Sequence, residues 1–179
     1  MTFRIAADLG LVEEPEAGSP GDPLDLSGLT SIVGYPLRRA QMAVFEDFAR
    51  RFAALDLTPA QYSALVAIGD NPGRNQSEIA GALGIQRPNF VAVMDELQRR
   101  GLAERTRSGA DRRSNAVALT SAGRALLARG RVEQAASEAA IDALLGPDTR
   151  AALVTILLRL ATLYREPMRP SGARYEGGT

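Results

Sequence analysis

Between residues 58 and 119 the sequence marks the start and stop of nearly every element, and this punctuation restricts the fold more than composition does. Thr58-Pro59-Ala60-Gln61 is a capping box with Pro at the first helical position. The Thr hydroxyl and the Gln side chain satisfy amide groups that a helix start leaves without partners. It opens a helix that reads through Ala67 or Ile68, and residues 69–74 form a turn cluster. Asn75-Gln76-Ser77-Glu78 repeats the capping logic and opens a short helix to Leu83, stopped by Gly84. Arg87 precedes Pro88, a context that disfavours helical backbone and predicts Arg87 as a cap. The next helix carries Phe90, Val93, Met94 and Leu97 on its buried side and stops at Gly101. Residues 102–107 and 115–119 then alternate as short strands around Ser108-Gly109-Ala110-Asp111, the pattern of a hairpin.

Helices flank this block. Over residues 35–55 apolar side chains fall at Leu37, Val44, Phe45, Phe48, Phe52 and Leu55, with Gln41 the one polar slot. Thr120 caps a long helix carrying Leu126, Leu127, Val132, Ile141, Leu144 and Leu145. Gly146-Pro147 breaks it, and Leu153, Ile156, Leu157, Leu160 and Tyr164 form the stripe of a last helix. The expected fold class is mainly α with a small β-hairpin wing, a winged helix-turn-helix joined to a helical domain. Residues 58–120 are the winged block, and 32–57 and 121–165 the accompanying helices. Those helices are apolar on more than one face, so they form either an intramolecular bundle or an interface between subunits. Residues 1–31, acidic and broken by Pro15, Pro20 and Pro23, read as a largely flexible arm, and 166–179 as a flexible tail.

Composition closes off several chemistries. The chain has no Cys and no His, which excludes disulfides, thiol redox sensing, His-based proton relays and conventional zinc sites. There is no G-x-G-x-x-G and no P-loop, and Ser63 has no possible His partner, so the expectation is no enzyme, no cofactor and no metal. No apolar run reaches the length of a bilayer span, and the N-terminus lacks a basic start followed by an apolar run. The expected location is the cytoplasm, with no membrane partner. Every one of the 21 basic residues is Arg, balanced by 21 acidic residues to a net charge of zero. That neutrality is uneven: residues 1–31 carry −5 and the remainder +5. Residues 86–113 hold seven Arg (87, 99, 100, 105, 107, 112, 113) against Asp95, Glu96, Glu104 and Asp111, a local +3. A helix fits the DNA major groove and a hairpin tip reaches the neighbouring minor groove, so these elements fit double-stranded DNA.

The runs Gly84-Ile85, Leu97-Gln98-Arg99-Arg100-Gly101-Leu102, Asp111-Arg112-Arg113 and Leu119-Thr120-Ser121-Ala122-Gly123 together resemble the MarR family of bacterial transcriptional regulators, over about residues 35–165. In that family a D-x-R wing signature precedes an L-T-x-x-G helix start, as here. The resemblance implies an obligate homodimer whose flanking helices intertwine, a winged helix-turn-helix in each subunit, and control by a small, often aromatic ligand. Such a dimer reads an inverted-repeat operator with half-sites roughly 10 bp apart, centre to centre. Gln86, Arg87, Pro88 and Asn89 are then expected at base edges, where Arg grips guanine and Asn or Gln adenine. For Gln86 and Asn89 a capping or phosphate contact fits equally well. Arg113 and Asp111 match the wing signature, with Arg112 and Arg107 beside them; an Arg at a wing tip enters a narrow minor groove, whereas Asp111 braces the hairpin. Val91-Ala92 stands where many relatives carry Thr then Arg, so their operator sequences do not transfer.

Residues 34–41, Gly-Tyr-Pro-Leu-Arg-Arg-Ala-Gln, with Arg87-Pro88-Asn89-Phe90-Val91-Ala92, are similar to a MarR branch that responds to hydroxycinnamoyl-CoA thioesters. The resemblance implies a repressor of aromatic catabolism genes, released by an aromatic acid or its aryl-CoA thioester. The expected pocket takes Tyr35, Arg38, Arg39, Met42 and Phe45 from the first helix, with Tyr62, Leu65 and Met94 opposite. Arg38 and Arg39 suit a carboxylate or CoA phosphates, and equally a solvated face or a DNA phosphate. Two other readings stand beside this one: a MarR-type regulator of efflux or stress genes, and a winged-helix protein–protein adaptor without DNA binding. The adaptor leaves the Arg cluster unexplained.

Overall fold

Both capping boxes close as their residue types require. Thr58 Oγ1 accepts from the Gln61 amide at 3.3 Å while Gln61 Oε1 accepts from the Thr58 amide at 2.9 Å. Asn75 and Glu78 exchange the equivalent pair at 2.8 and 3.0 Å. The computed structural model describes residues 24–107 and 115–163, so the expected arm (through residue 23), hairpin tip and tail lie outside the described residues. Its elements are α1 (Ser27–Thr30), α2 (Gly34–Phe52) extended by a 3-10 turn (Ala53–Leu55), α3 (Pro59–Asp70), α4 (Gln76–Leu83), α5 (Arg87–Arg99), β1 (Ala103–Arg107), β2 (Asn115–Leu119), α6 (Ser121–Leu145) and α7 (Pro147–Leu163). This is the expected mostly helical chain with one antiparallel hairpin, Ala103 opposite Leu119 and Arg107 opposite Asn115.

One boundary is corrected. Arg87 is the first residue of α5 rather than its cap; Gln86 takes that role, its carbonyl accepting from the Phe90 amide at 3.0 Å. The residue before a proline is biased away from helical backbone, not barred from it.

The chain divides into two compact units, the first ending at Gly130. Its core joins Leu65 and Ile68 of α3, Ile79 and Ala80 of α4, Phe90, Met94 and Leu97 of α5, and Val117 and Leu119 of β2. Phe52 and Leu55 enter this core from one side of the sequence and Leu127 from the other, so it extends beyond the 58–120 block. Phe52 stacks on Phe48 with ring centroids 3.9 Å apart and meets Tyr62 at 4.8 Å. Asn75 pairs with Ala116, and the Val117 amide donates to the Arg74 carbonyl at 3.0 Å, which anchors the hairpin to the start of α4.

The second unit holds the rest of α6 and α7. Gly146, at φ +77, makes the break between them, a left-handed conformation that favours glycine. Arg150 bonds both Asp142 and Glu138 and so ties one helix to the other. α7 buries none of its residues in the chain, and Ile156, Leu158 and Leu163 are all more than half exposed. Among the described residues no helix is long and apolar enough to cross a membrane.

Gly123 packs against the turn after α5 so closely that a Cβ there would lie 1.9 Å from the Leu102 carbonyl oxygen. Gly81, within α4, has open space around the same position. Gly123→Ala should therefore lower unfolding stability in urea by about 2–3 kcal/mol. Gly81→Ala should leave it unchanged or raise it by about 1 kcal/mol. Equal effects of the two substitutions would refute the close approach.

Candidate nucleic-acid interface

The helix α5 has two faces of different character. Phe90, Met94 and Leu97 are wholly buried, so the opposite face, with Pro88, Val91, Ala92 and Asp95, is left to solvent together with Gln86, Arg87 and Asn89 at the start. The Gln86 side chain makes no capping bond, so its amide can serve a base edge. Arg87 donates from Nε and Nη2 to the Ser77 hydroxyl of α4, at 3.2 and 2.6 Å. This partner is neutral, so it orients the guanidinium without cancelling its charge. The first turn thus presents an amide, an oriented cation and a second amide, followed by an apolar strip.

The Arg-rich composition is used differently along the rest of the segment. Arg99 pairs with Glu96 at 2.6 Å, and that hydrogen bond holds the Glu96 carboxyl below the usual carboxylate range. Arg105 of β1 donates to Asp95 at 2.8 Å and to Gln76 at 3.0 Å. Arg100 donates to the carbonyls of Leu55 and Asp56, where the α2 segment ends. Three of the cations that make up the local +3 are therefore engaged within the chain, and the described interface is positive chiefly at Arg87. Arg107 ends β1, with its side chain outside the described residues; Asp111, Arg112 and Arg113 lie outside them altogether. The ties made by Arg100 and Arg105 had no signal in the sequence, since their partners lie 45 and 29 positions away.

The expected pocket residues do not converge within one chain. Arg38, Arg39, Met42 and Phe45 are exposed on α2, and Tyr35 is half-buried. Phe45 lines an open groove of about 290 Å³ with Phe48, Phe52, Asp56, Leu57 and Pro59. Tyr62 is buried, with only 8% exposure, and borders a second groove with Ser63, Val66, Asp70 and Leu83. Met94 is corrected: with 0% exposure it belongs to the core. Helical spacing had already put Met94 beside Phe90 and Leu97, and that packing excludes a place on a pocket surface.

A family model described as MarR family matches residues 55–114. A putative transcriptional regulatory protein for the hcr operon of Thauera aromatica is 37% identical over 137 residues, covering 75% of this chain and 80% of that protein. Among solved structures, the transcriptional repressor CouR bound to a 23-mer DNA duplex is similar with a TM-score of 0.75 and 50% identity, over 78% of this chain and 99% of that one. CouR bound to p-coumaroyl-CoA gives 0.70 and 48%, over 81% of this chain and 100% of that one. The PcaV transcriptional regulator from Streptomyces coelicolor, in complex with its natural ligand, gives 0.68 and 26%, over 79% of this chain and 98% of that one. These relatives are transcriptional regulators, not enzymes. The chain therefore belongs to the MarR family of DNA-binding transcriptional regulators.

Proposed function

We propose that the protein is a homodimeric repressor of aromatic catabolism genes. It holds an inverted-repeat operator with α5 and the hairpin of each subunit, and an aromatic acid or its aryl-CoA thioester releases it. The observation that carries this reading is half identity to CouR over nearly all of CouR's length, with CouR known both on a DNA duplex and with p-coumaroyl-CoA. The similarity to the hcr operon regulator points the same way. Gln86, Arg87 and Asn89 read base edges in this scheme, with Pro88 fixing the start of the helix. Arg107, Arg112 and Arg113 serve the wing, and Asp111 braces it. The flanking helices 32–57 and 121–165 carry the dimer, which explains why large apolar side chains such as Leu158 and Leu163 are left exposed by a single chain.

Effector binding is assigned to α2. Tyr35, Met42 and Phe45 offer apolar contact, and Tyr62 supports the aromatic cluster behind Phe48 and Phe52. Arg38 and Arg39 stand exposed side by side, and paired guanidinium groups match CoA phosphates or a carboxylate.

Fluorescence anisotropy with a duplex enriched from random sequence by the protein itself tests the whole reading. Added p-coumaroyl-CoA should weaken duplex binding at least tenfold. At a hundredfold excess over its Kd it should stabilise the protein by about 2.7 kcal/mol in thermal melts. Tight duplex binding that no aromatic acid or aryl-CoA thioester relieves would sink the effector assignment. Replacing Arg38 and Arg39 together by Ala should leave operator binding within about twofold and abolish release. Loss of DNA affinity in that variant would move both residues to the phosphate interface.

A further inference from the structure

Asp95 poses a problem for a helix that enters a DNA groove. It follows Val91 by one helical turn on the exposed face of α5, and its side chain is 59% exposed. On the reading that this face meets DNA, on which this inference rests, a carboxylate there stands among phosphates and is repelled. The structure holds Asp95 against Arg105 of β1 at 2.8 Å. The same guanidinium donates through Nε to Gln76, the first residue of α4, and its side chain is only 26% exposed. Asn75, next to Gln76, is paired with Ala116 of the hairpin. Arg105 is thus fixed by β1, α4 and α5 together, with its fork turned onto protein acceptors.

We infer that Arg105 serves DNA binding by cancelling the charge of Asp95, not by touching DNA, and so makes the middle of the recognition helix electrically neutral. An ion pair this exposed contributes little to stability. Its effect on a polyanion is larger, because one uncancelled charge falls well within the roughly 8 Å over which physiological salt screens it. Counting Arg105 as one more phosphate-binding cation gives the wrong role: it is a positioning residue whose partner is an acid.

Three variants of the full chain, Arg105→Gln, Asp95→Asn and the two combined, separate the possibilities. Binding is measured by anisotropy on the duplex enriched by the wild-type protein, across a salt series. Arg105→Gln should weaken binding about tenfold, with the loss shrinking as salt rises. Asp95→Asn should bind at least as tightly as wild type. The combined variant should return to within about threefold of wild type, because both charges have gone. A combined variant as weak as Arg105→Gln overturns the inference, since Arg105 would then act on DNA or the wing directly. Weakening by Asp95→Asn overturns it too, and this exposed, nearly isosteric change decides the matter even if Arg105→Gln fails to fold. Wild-type protein that retains no duplex would reject the DNA reading itself, and this inference with it.

Discussion

Four elements meet at Thr120, and their junction sets the rest of the winged unit. Its hydroxyl donates to the Gly101 carbonyl at 2.7 Å and accepts from the Gly123 amide at 3.0 Å, while its own amide donates to the Leu102 carbonyl at 3.1 Å. One residue therefore closes the turn after α5, caps α6 and sets the point at which β2 gives way to helix. Gly123 lets the backbone of α6 approach Leu102 where any Cβ would collide. Once that approach is fixed, the register of β1 on β2 follows, and with it the burial of Val117 and Leu119 against Phe90, Met94 and Leu97. The L-T-x-x-G run is thus a packing device that joins the end of the recognition helix, the wing and the first turn of α6.

What α5 offers to a duplex depends as much on cancellation as on display. Glu96 is taken by Arg99 and Asp95 by Arg105, leaving a solvent face of Pro88, Val91 and Ala92 behind a polar first turn. The apolar side chains of Val91 and Ala92 can meet thymine methyl groups but cannot distinguish bases by hydrogen bonding. On the proposed reading, sequence is read at Gln86, Arg87 and Asn89, and the Arg87–Ser77 contact would hold one of these three in place before DNA arrives. Orienting a long side chain in advance reduces the entropy lost on binding.

The parts of the fold legible in the sequence are those decided locally. Thr58 with Gln61, Asn75 with Glu78, Gly84 at φ +66 and Gly146 at φ +77 each act within one turn of chain, and each stands where its residue type requires. Periodicity gave the buried side of α5 correctly, yet on α2 it grouped Leu37, Val44 and Phe45 with Phe52 and Leu55. Only the last two are buried in the chain. An apolar stripe says that a surface is covered and leaves open whether the cover is the same chain or another. Long-range polar ties were illegible for a different reason. Nothing near Arg100 in sequence points to the Leu55 carbonyl, and nothing near Arg105 points to Gln76.

The absence of Lys bears on those ties. Arg100 holds two carbonyls, Arg105 an amide oxygen and a carboxylate, and Arg150 two carboxylates. Each needs donors spread across a rigid plane, which a guanidinium supplies and a single ammonium point charge does not. A chain whose cations are all Arg can therefore use many of them as internal clasps. Pairing redistributes the charge and does not reduce it: the local +3 along residues 86–113 already counts Glu96 and Asp95, and their pairs with Arg99 and Arg105 withdraw those two cations from use by a polyanion. The cation that still projects its charge from the described recognition surface is the one whose partner is a hydroxyl, Arg87. A polyanion meets the charges that a surface presents and not the sum over the chain, so a net charge of zero is compatible with membership of a family of DNA-binding proteins.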